Sequence, residues 1–131
     1  MKPKILIIED NQQNMYMLTY LLESNNYEVF QSFNGSEGIA AAKGILPDAI
    51  LLDIQLPEMD GYSVARELRK NGDLRDTPII AVTSYAMPGD KEKAFEAGAT
   101  GYIEKPIDPD TFISQLEEFI PSEILIKKKR L

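Results

Sequence analysis

The sequence predicts an α/β fold, a parallel sheet sandwiched between helices. Three observations carry that reading. Five strand candidates alternate strictly with five helical stretches along the 131 residues, and such alternation implies right-handed crossovers between parallel strands. Three of the strands are short continuous apolar runs, the pattern of strands covered on both faces. Four of the five deliver a polar group where the strand should end, which gathers those groups on the sheet edge where open α/β sheets bind ligands.

The first strand is Lys4 to Ile8, and it runs into Glu9 and Asp10. Asp10 and Asn11 are both suited to cap the helix from Asn11 to Ser24, which offers Met15, Met17, Leu18, Leu21 and Leu22 for packing. The second strand, Tyr27 to Ser32, is the more polar YEVFQS and suits a place nearer the sheet edge. A helix from Ser36 to Lys43 is expected to stop in a left-handed residue at Gly44. Pro47 and Asp48 punctuate the entry to the third strand, Ala49 to Asp53. Beyond it Pro57 and Met59 shape a loop, Asp60 and Gly61 make a turn, and a helix spans Tyr62 to Lys70. Thr77 and Pro78 open the fourth strand, Ile79 to Thr83. The fourth helix, Gly89 to Ala97, stops at Gly98, and the fifth strand, Gly101 to Glu104, leads into Lys105 and Pro106. The last helix, Pro109 to Phe119, takes Asp108 as its cap and Pro109 in its first turn, with Phe112, Ile113, Leu116, Phe119 and Ile120 at helical spacing.

This length fits one domain, residues 1–120, followed by a basic tail over residues 121–131. Cysteine and histidine are both absent. Disulfides, thiolate metal sites, histidine bases and Cys or Ser-His nucleophiles are thereby excluded, leaving carboxylates, hydroxyls and lysines to do any chemistry. The net charge is −7, and because Lys127, Lys128, Lys129 and Arg130 sit together, the remainder carries 10 basic against 21 acidic residues. Such a body repels nucleic acid. The basic run reads most simply as a solvated tail, with partner docking or the start of a linker as other readings. The residues IPSEILIKKKRL are too few for a DNA-binding domain. MKPKILIIED lacks the apolar region and cleavage site of a signal peptide, and no stretch approaches membrane-spanning length, so a cytoplasmic location is expected.

With the first and third strands adjacent, Glu9, Asp10 and Asp53 converge. Two carboxylates about 4 Å apart repel by about 4 kcal/mol at an effective dielectric of about 20, so three require a compensating cation. An all-oxygen cluster selects a hard dication, and Mg²⁺ suits one or two carboxylates with waters and a phosphate, whereas no calcium-loop motif is present. Lys105 adds a point charge suited to a phosphoryl oxygen, and Thr83 adds a hydroxyl. Together these groups make a phosphoryl-transfer site. Asp53, alone at the end of AILLD, is the expected acceptor, and the Glu9-Asp10 pair is better suited to holding metal.

The motifs IIEDN, LLDIQLPEMDG, AVTSYA and EKP, in this order from Lys4 to Ile120, resemble those of response-regulator receiver domains of two-component signalling. The similarity is to the stand-alone chemotaxis and cell-cycle receivers. It implies a flavodoxin-like sheet of order 2-1-3-4-5 with five flanking helices. It implies Asp53 as phosphoacceptor, with Asp10, Asp53 and the backbone carbonyl of Gln55 holding Mg²⁺ and Glu9 acting through a metal-bound water. Lys105 would bind the phosphoryl oxygen, Thr83 would swing toward it, Tyr102 would be the aromatic switch partner, and Lys105-Pro106 would be cis. Gln55 and Tyr85 occupy positions that tune dephosphorylation, and a bulky Tyr85 is expected to obstruct the attacking water. Ser84 stands where the family usually has alanine or glycine, leaving a second hydroxyl near the site.

The resemblance implies a phosphoprotein switch. A sensor histidine kinase or histidine phosphotransfer protein donates to Asp53, and the surface of the fourth helix, fifth strand and fifth helix, about Gly89 to Phe119, then binds a protein target. A shuttle role in a phosphorelay is the alternative within the family. Chemistry limited to its own phosphorylation and dephosphorylation makes it no turnover enzyme. An aspartate-nucleophile phosphatase of the haloacid-dehalogenase type needs an acid two residues after the nucleophile, where this chain has Gln55. A nucleotide or flavin module needs a glycine-rich turn after the first strand, where this chain has Glu9, Asp10 and Asn11.

Overall fold

Apolar runs rich in β-branched residues and leucine become strands, and parallel pairing buries them on both faces. The computed structural model of the chain describes residues 2–84 and 88–129. Its strands are β1 (Lys4–Ile8), β2 (Glu28–Ser32), β3 (Ala49–Asp53), β4 (Ile79–Thr83) and β5 (Gly101–Glu104). Its helices are α1 (Gln12–Glu23), α2 (Gly35–Ile45), α3 (Gly61–Arg69), α4 (Asp90–Ala97), α5 (Phe112–Glu117) and α6 (Ser122–Lys129), with a 3₁₀ turn at Gly72–Leu74. All pairings are parallel, in the order β2-β1-β3-β4-β5. The polar YEVFQS strand does lie at an edge.

Alternation along the strands sorts the core into two layers. Ile5 and Ile7 of β1 pack with Met15, Leu18, Phe112 and Leu116 of α1 and α5. Leu6 and Ile8 pack on the other face, with Ala42, Val64 and Leu68 of α2 and α3. The β3 register sets Leu52 beside Ile8, and β4 sets Val82 beside Asp53, so the ends of the three central strands fall at one edge.

Several element ends differ from the sequence expectation. The left-handed residue after α2 is Leu46 (φ 52°) and not Gly44, because the helix runs on to Ile45 and Pro47 then forbids another turn. Gly98 (φ 117°) does end α4 as expected. The helix expected from Pro109 to Phe119 spans only Phe112–Glu117: the Asp108 carboxylate accepts from Asp110 N–H at 2.9 Å and closes a separate turn before it.

The largest difference lies in residues 122–129, part of the segment read from sequence as a basic tail. Residues 122–129 form α6, whose Ile124 and Leu125 pack against the α1/α5 layer. Lys127 reaches Asp48 Oδ1 at 2.9 Å. Lys128 pairs with Glu117 and lies 4.6 Å from the centre of the Tyr27 ring, and the Tyr27 hydroxyl donates to the same Glu117 carboxylate at 2.6 Å. The run of charge concealed two apolar residues and lysine stems long enough to lie along a core.

At the lower end of α3 the guanidinium of Arg69 donates to the carbonyls of Leu74 and Thr77, both at 2.7 Å, and of Gly98 at 2.9 Å. That one side chain ties α3, the 3₁₀ turn and the end of α4 together. Among the described residues no helix is long and apolar enough to cross a membrane.

Candidate functional site

β1 and β3 are neighbours, so the residues that end them meet. Oxygens of Glu9, Asp10 and Asp53 all lie within 4.8 Å of one another. Glu9 is 1% exposed and Asp53 4%, whereas Asp10 faces solvent. Lys105, delivered by the end of β5, places its Nζ 3.0 Å from Glu9 Oε1 and 3.5 Å from Asp53 Oδ1. The Asn11 N–H donates to Glu9 Oε2 at 3.1 Å, and the Gln55 N–H donates to Asp53 Oδ1 at 3.0 Å. The Lys105-Pro106 bond is cis.

This cluster suits a small hard dication. Octahedral Mg²⁺ with bonds of about 2.0–2.1 Å sets its oxygens about 3 Å apart when adjacent and about 4 Å when opposite, a range these carboxylates reach with small shifts.

Burial and the Asp53 charge, in that order, push the Glu9 carboxyl up to about 7, against the opposing Asn11 and Lys105 contacts. The folded chain therefore keeps a proton that the unfolded chain has released, and folding stability from this group falls as pH rises from about 4.5 to about 7. The expected result is a stability advantage of Glu9→Gln over the parent that grows across that window in EDTA. Saturating Mg²⁺ should shrink it. Thermal unfolding of both proteins at about pH 5 and about pH 8 reads the effect, and an advantage that stays constant or narrows with pH in EDTA would show the assignment to be wrong.

Thr83 ends β4 and is buried. The Gln55 side chain crosses to it, with Nε2 2.9 Å from Thr83 Oγ1. On its other side Gln55 Oε1 accepts from the Ser84 N–H at 3.2 Å and the Ser84 hydroxyl at 2.8 Å. A backbone N–H can only donate, so the amide orientation is fixed and Nε2 must be the atom that faces Thr83. Ser84 and Lys105 line one groove of about 630 Å³ with Asn14, Met17, Pro106 and Ile107.

Tyr102 is half-buried beside Ile54, Ala81 and Ala94. Its hydroxyl is pushed up, first by burial and then by Asp90 and other nearby acids. Tyr85, expected to guard the site, lies outside the described residues. The sequence reading missed Tyr62, whose hydroxyl is held up by burial and by its hydrogen bond to Asp90, and whose ring has Lys93 Nζ 5.2 Å from its centre. This side chain joins the start of α3 to the start of α4. Its only signal in the sequence is an aromatic directly after an Asp-Gly turn.

The family model described as response regulator receiver domain matches residues 5–117. The chain belongs to the response regulator receiver family. As a receiver domain of two-component signalling it is 40% identical over 120 residues to the polar-differentiation response regulator DivK of Brucella anthropi, covering 92% of this chain and 98% of the relative. It is similar in structure to the chemotaxis response regulator CheY4 of Vibrio cholerae, with TM-score 0.87, 28% identity and coverage of 92% of this chain and 100% of that one. It is also similar to the receiver domain of sensor histidine kinase PA1611 from Pseudomonas aeruginosa, a structure with magnesium coordinated in its active-site cleft. That match has TM-score 0.83 and 35% identity, over 91% of this receiver and 98% of the other. The sheet order β2-β1-β3-β4-β5 is the one the resemblance implied.

Proposed function

We propose that this receiver is a phosphorylation-dependent switch in which Asp53 takes a phosphoryl group from the phosphohistidine of a sensor kinase or phosphotransfer protein. The observation that carries the reading is Lys105 Nζ lodged between Glu9 and Asp53 within a three-carboxylate cluster. A carboxylate at the end of a buried central strand, with a fixed cation beside it, is a nucleophile placed for a phosphate. In the transfer an Asp53 oxygen bonds to phosphorus, the nitrogen-phosphorus bond breaks, and the imidazole keeps the electron pair and takes up a proton. Asp10, Asp53 and the Gln55 backbone carbonyl would hold Mg²⁺, with Glu9 acting through water. When bound, the ion neutralises charge on the reacting oxygens.

Lys105 binds a phosphoryl oxygen, and Thr83 donates its hydroxyl to another. Tyr102 then follows Thr83, and the surface of α4, β5 and α5 changes for a protein target. Gln55 and Tyr85 set how long the modification lasts. Turnover of a small molecule is not part of this reading, and Gln55 favours it over the phosphatase alternative because its amide is committed to Thr83 and Ser84. The acidic body argues against DNA as a partner, and the intended setting is the cytoplasm.

Incubation with acetyl phosphate and Mg²⁺ should add one phosphoryl mass to the intact protein, and EDTA should prevent it. An unchanged mass with Mg²⁺ present would overturn the reading.

A further inference from the structure

Ser84 is exposed and sits outside both core layers, yet its N–H and its hydroxyl both point to one atom, Gln55 Oε1. The same amide donates to Thr83 Oγ1 from its other end. The Gln55 backbone N–H meanwhile holds Asp53 Oδ1. One residue therefore joins the loop after the phosphoacceptor to the end of β4.

We infer that Gln55 and Ser84 are positioning residues forming a latch that holds Thr83 and the end of β4 in the unphosphorylated arrangement and opposes closure onto a phosphoryl group. The inference rests on the reading of Asp53 as acceptor and of Thr83 as the hydroxyl that meets the phosphate.

A phosphoryl group offers three acceptor oxygens and no donor. Every group that turns toward it has to donate. The Gln55 amide fixes where Thr83 Oγ1 sits, and both Ser84 donors are spent on the Gln55 carbonyl oxygen. Closure therefore exchanges neutral hydrogen bonds at Gln55 for charge-assisted ones at the phosphate. The charge-assisted bonds are roughly twice as strong, so the modified protein closes and the unmodified one stays latched.

The test is binding of beryllofluoride, a phosphoryl mimic, in the presence of Mg²⁺, measured for the parent, Gln55→Leu, Ser84→Ala and the double variant. Both substitutions leave the Gln55 backbone carbonyl in place. Gln55→Leu is expected to bind the mimic roughly tenfold more tightly, equivalent to about 1.4 kcal/mol, and Ser84→Ala roughly threefold more tightly. The double variant should be no tighter than Gln55→Leu alone, because both changes open the same latch. Mg²⁺ affinity without the mimic should be equal in the parent and Ser84→Ala. Equal or weaker mimic binding by the variants overturns the latch, as does a matching shift in Mg²⁺ affinity, which would place the effect in the metal site. A parent that takes up no mimic overturns the acceptor reading and the latch together. Should Gln55→Leu fail to fold, the exposed Ser84→Ala decides the question by itself.

Discussion

Asp53→Asn is expected to abolish the acetyl phosphate adduct while making the metal-free protein more stable. The two outcomes have one origin. The amide keeps the size of the carboxylate and an oxygen for the Gln55 N–H, but it has no charge with which to attack phosphorus. It also removes the charge that, after burial, does most to raise the Glu9 carboxyl. Lys105 still has Glu9 at 3.0 Å, so no cation is stranded. Relief of one close carboxylate pair should raise stability in EDTA by about 1 kcal/mol at neutral pH. Intact mass and thermal unfolding of the same samples check both halves. A destabilised variant would mean that Asp53 is held chiefly as a structural partner of Lys105, and an adduct on it would place the acceptor elsewhere.

Gly61→Ala is expected to be the most damaging single methyl group near the site. Gly61 opens α3 and donates its N–H to the Ile54 carbonyl at 2.9 Å. A Cβ there would stand 2.5 Å from Ile54 Cα and 2.6 Å from the Asp53 carbonyl oxygen. Those are backbone atoms at the end of a buried strand, so no rotamer change relieves the overlap. Either α3 moves outward or the Asp53–Ile54 backbone shifts. The cost should be about 3 kcal/mol, at the upper end for overpacking, and the melting temperature should fall by about 10 °C. Mg²⁺ affinity should weaken too, because the displaced backbone carries a proposed ligand. An alanine variant that melts with the parent would show the turn to be more pliable than its contacts imply.

The parts of this protein that were legible in its sequence are those in which neighbours in the chain are neighbours in the fold. Asp53 and Thr83 end their strands and Glu9 and Lys105 follow theirs directly, so once the strands are parallel their meeting at one edge requires no knowledge of loops. The Glu9-Lys105 and Asp53-Lys105 contacts are that expectation realised.

The Gln55-Ser84 and Tyr62-Asp90 contacts were not legible, because each depends on how far a side chain reaches between two loops or helix starts. No local propensity encodes that distance. The α6 segment was misread for a different reason. Four consecutive cationic residues dominate any local measure, while the packing is carried by Ile124 and Leu125 just before them. The end of α2 shows the limit of residue preference: Gly44 is the better left-handed residue, yet Pro47 decides where the helix stops and Leu46 takes the conformation.

Arg69 grips the carbonyl of Gly98 at one end of α4, while the other end begins at Gly89 without a side-chain cap. The helix would pivot at Gly98 once the Tyr62-Asp90 hydrogen bond at its far end is released. Its eight residues make it about 12 Å long, so a tilt of about 10° carries the far end by about 2 Å and leaves the pivot in place. That far end, Asp90, lines the same cavity as Thr83 and Gln55, so a displacement of that size would reshape the space beside the hydroxyl.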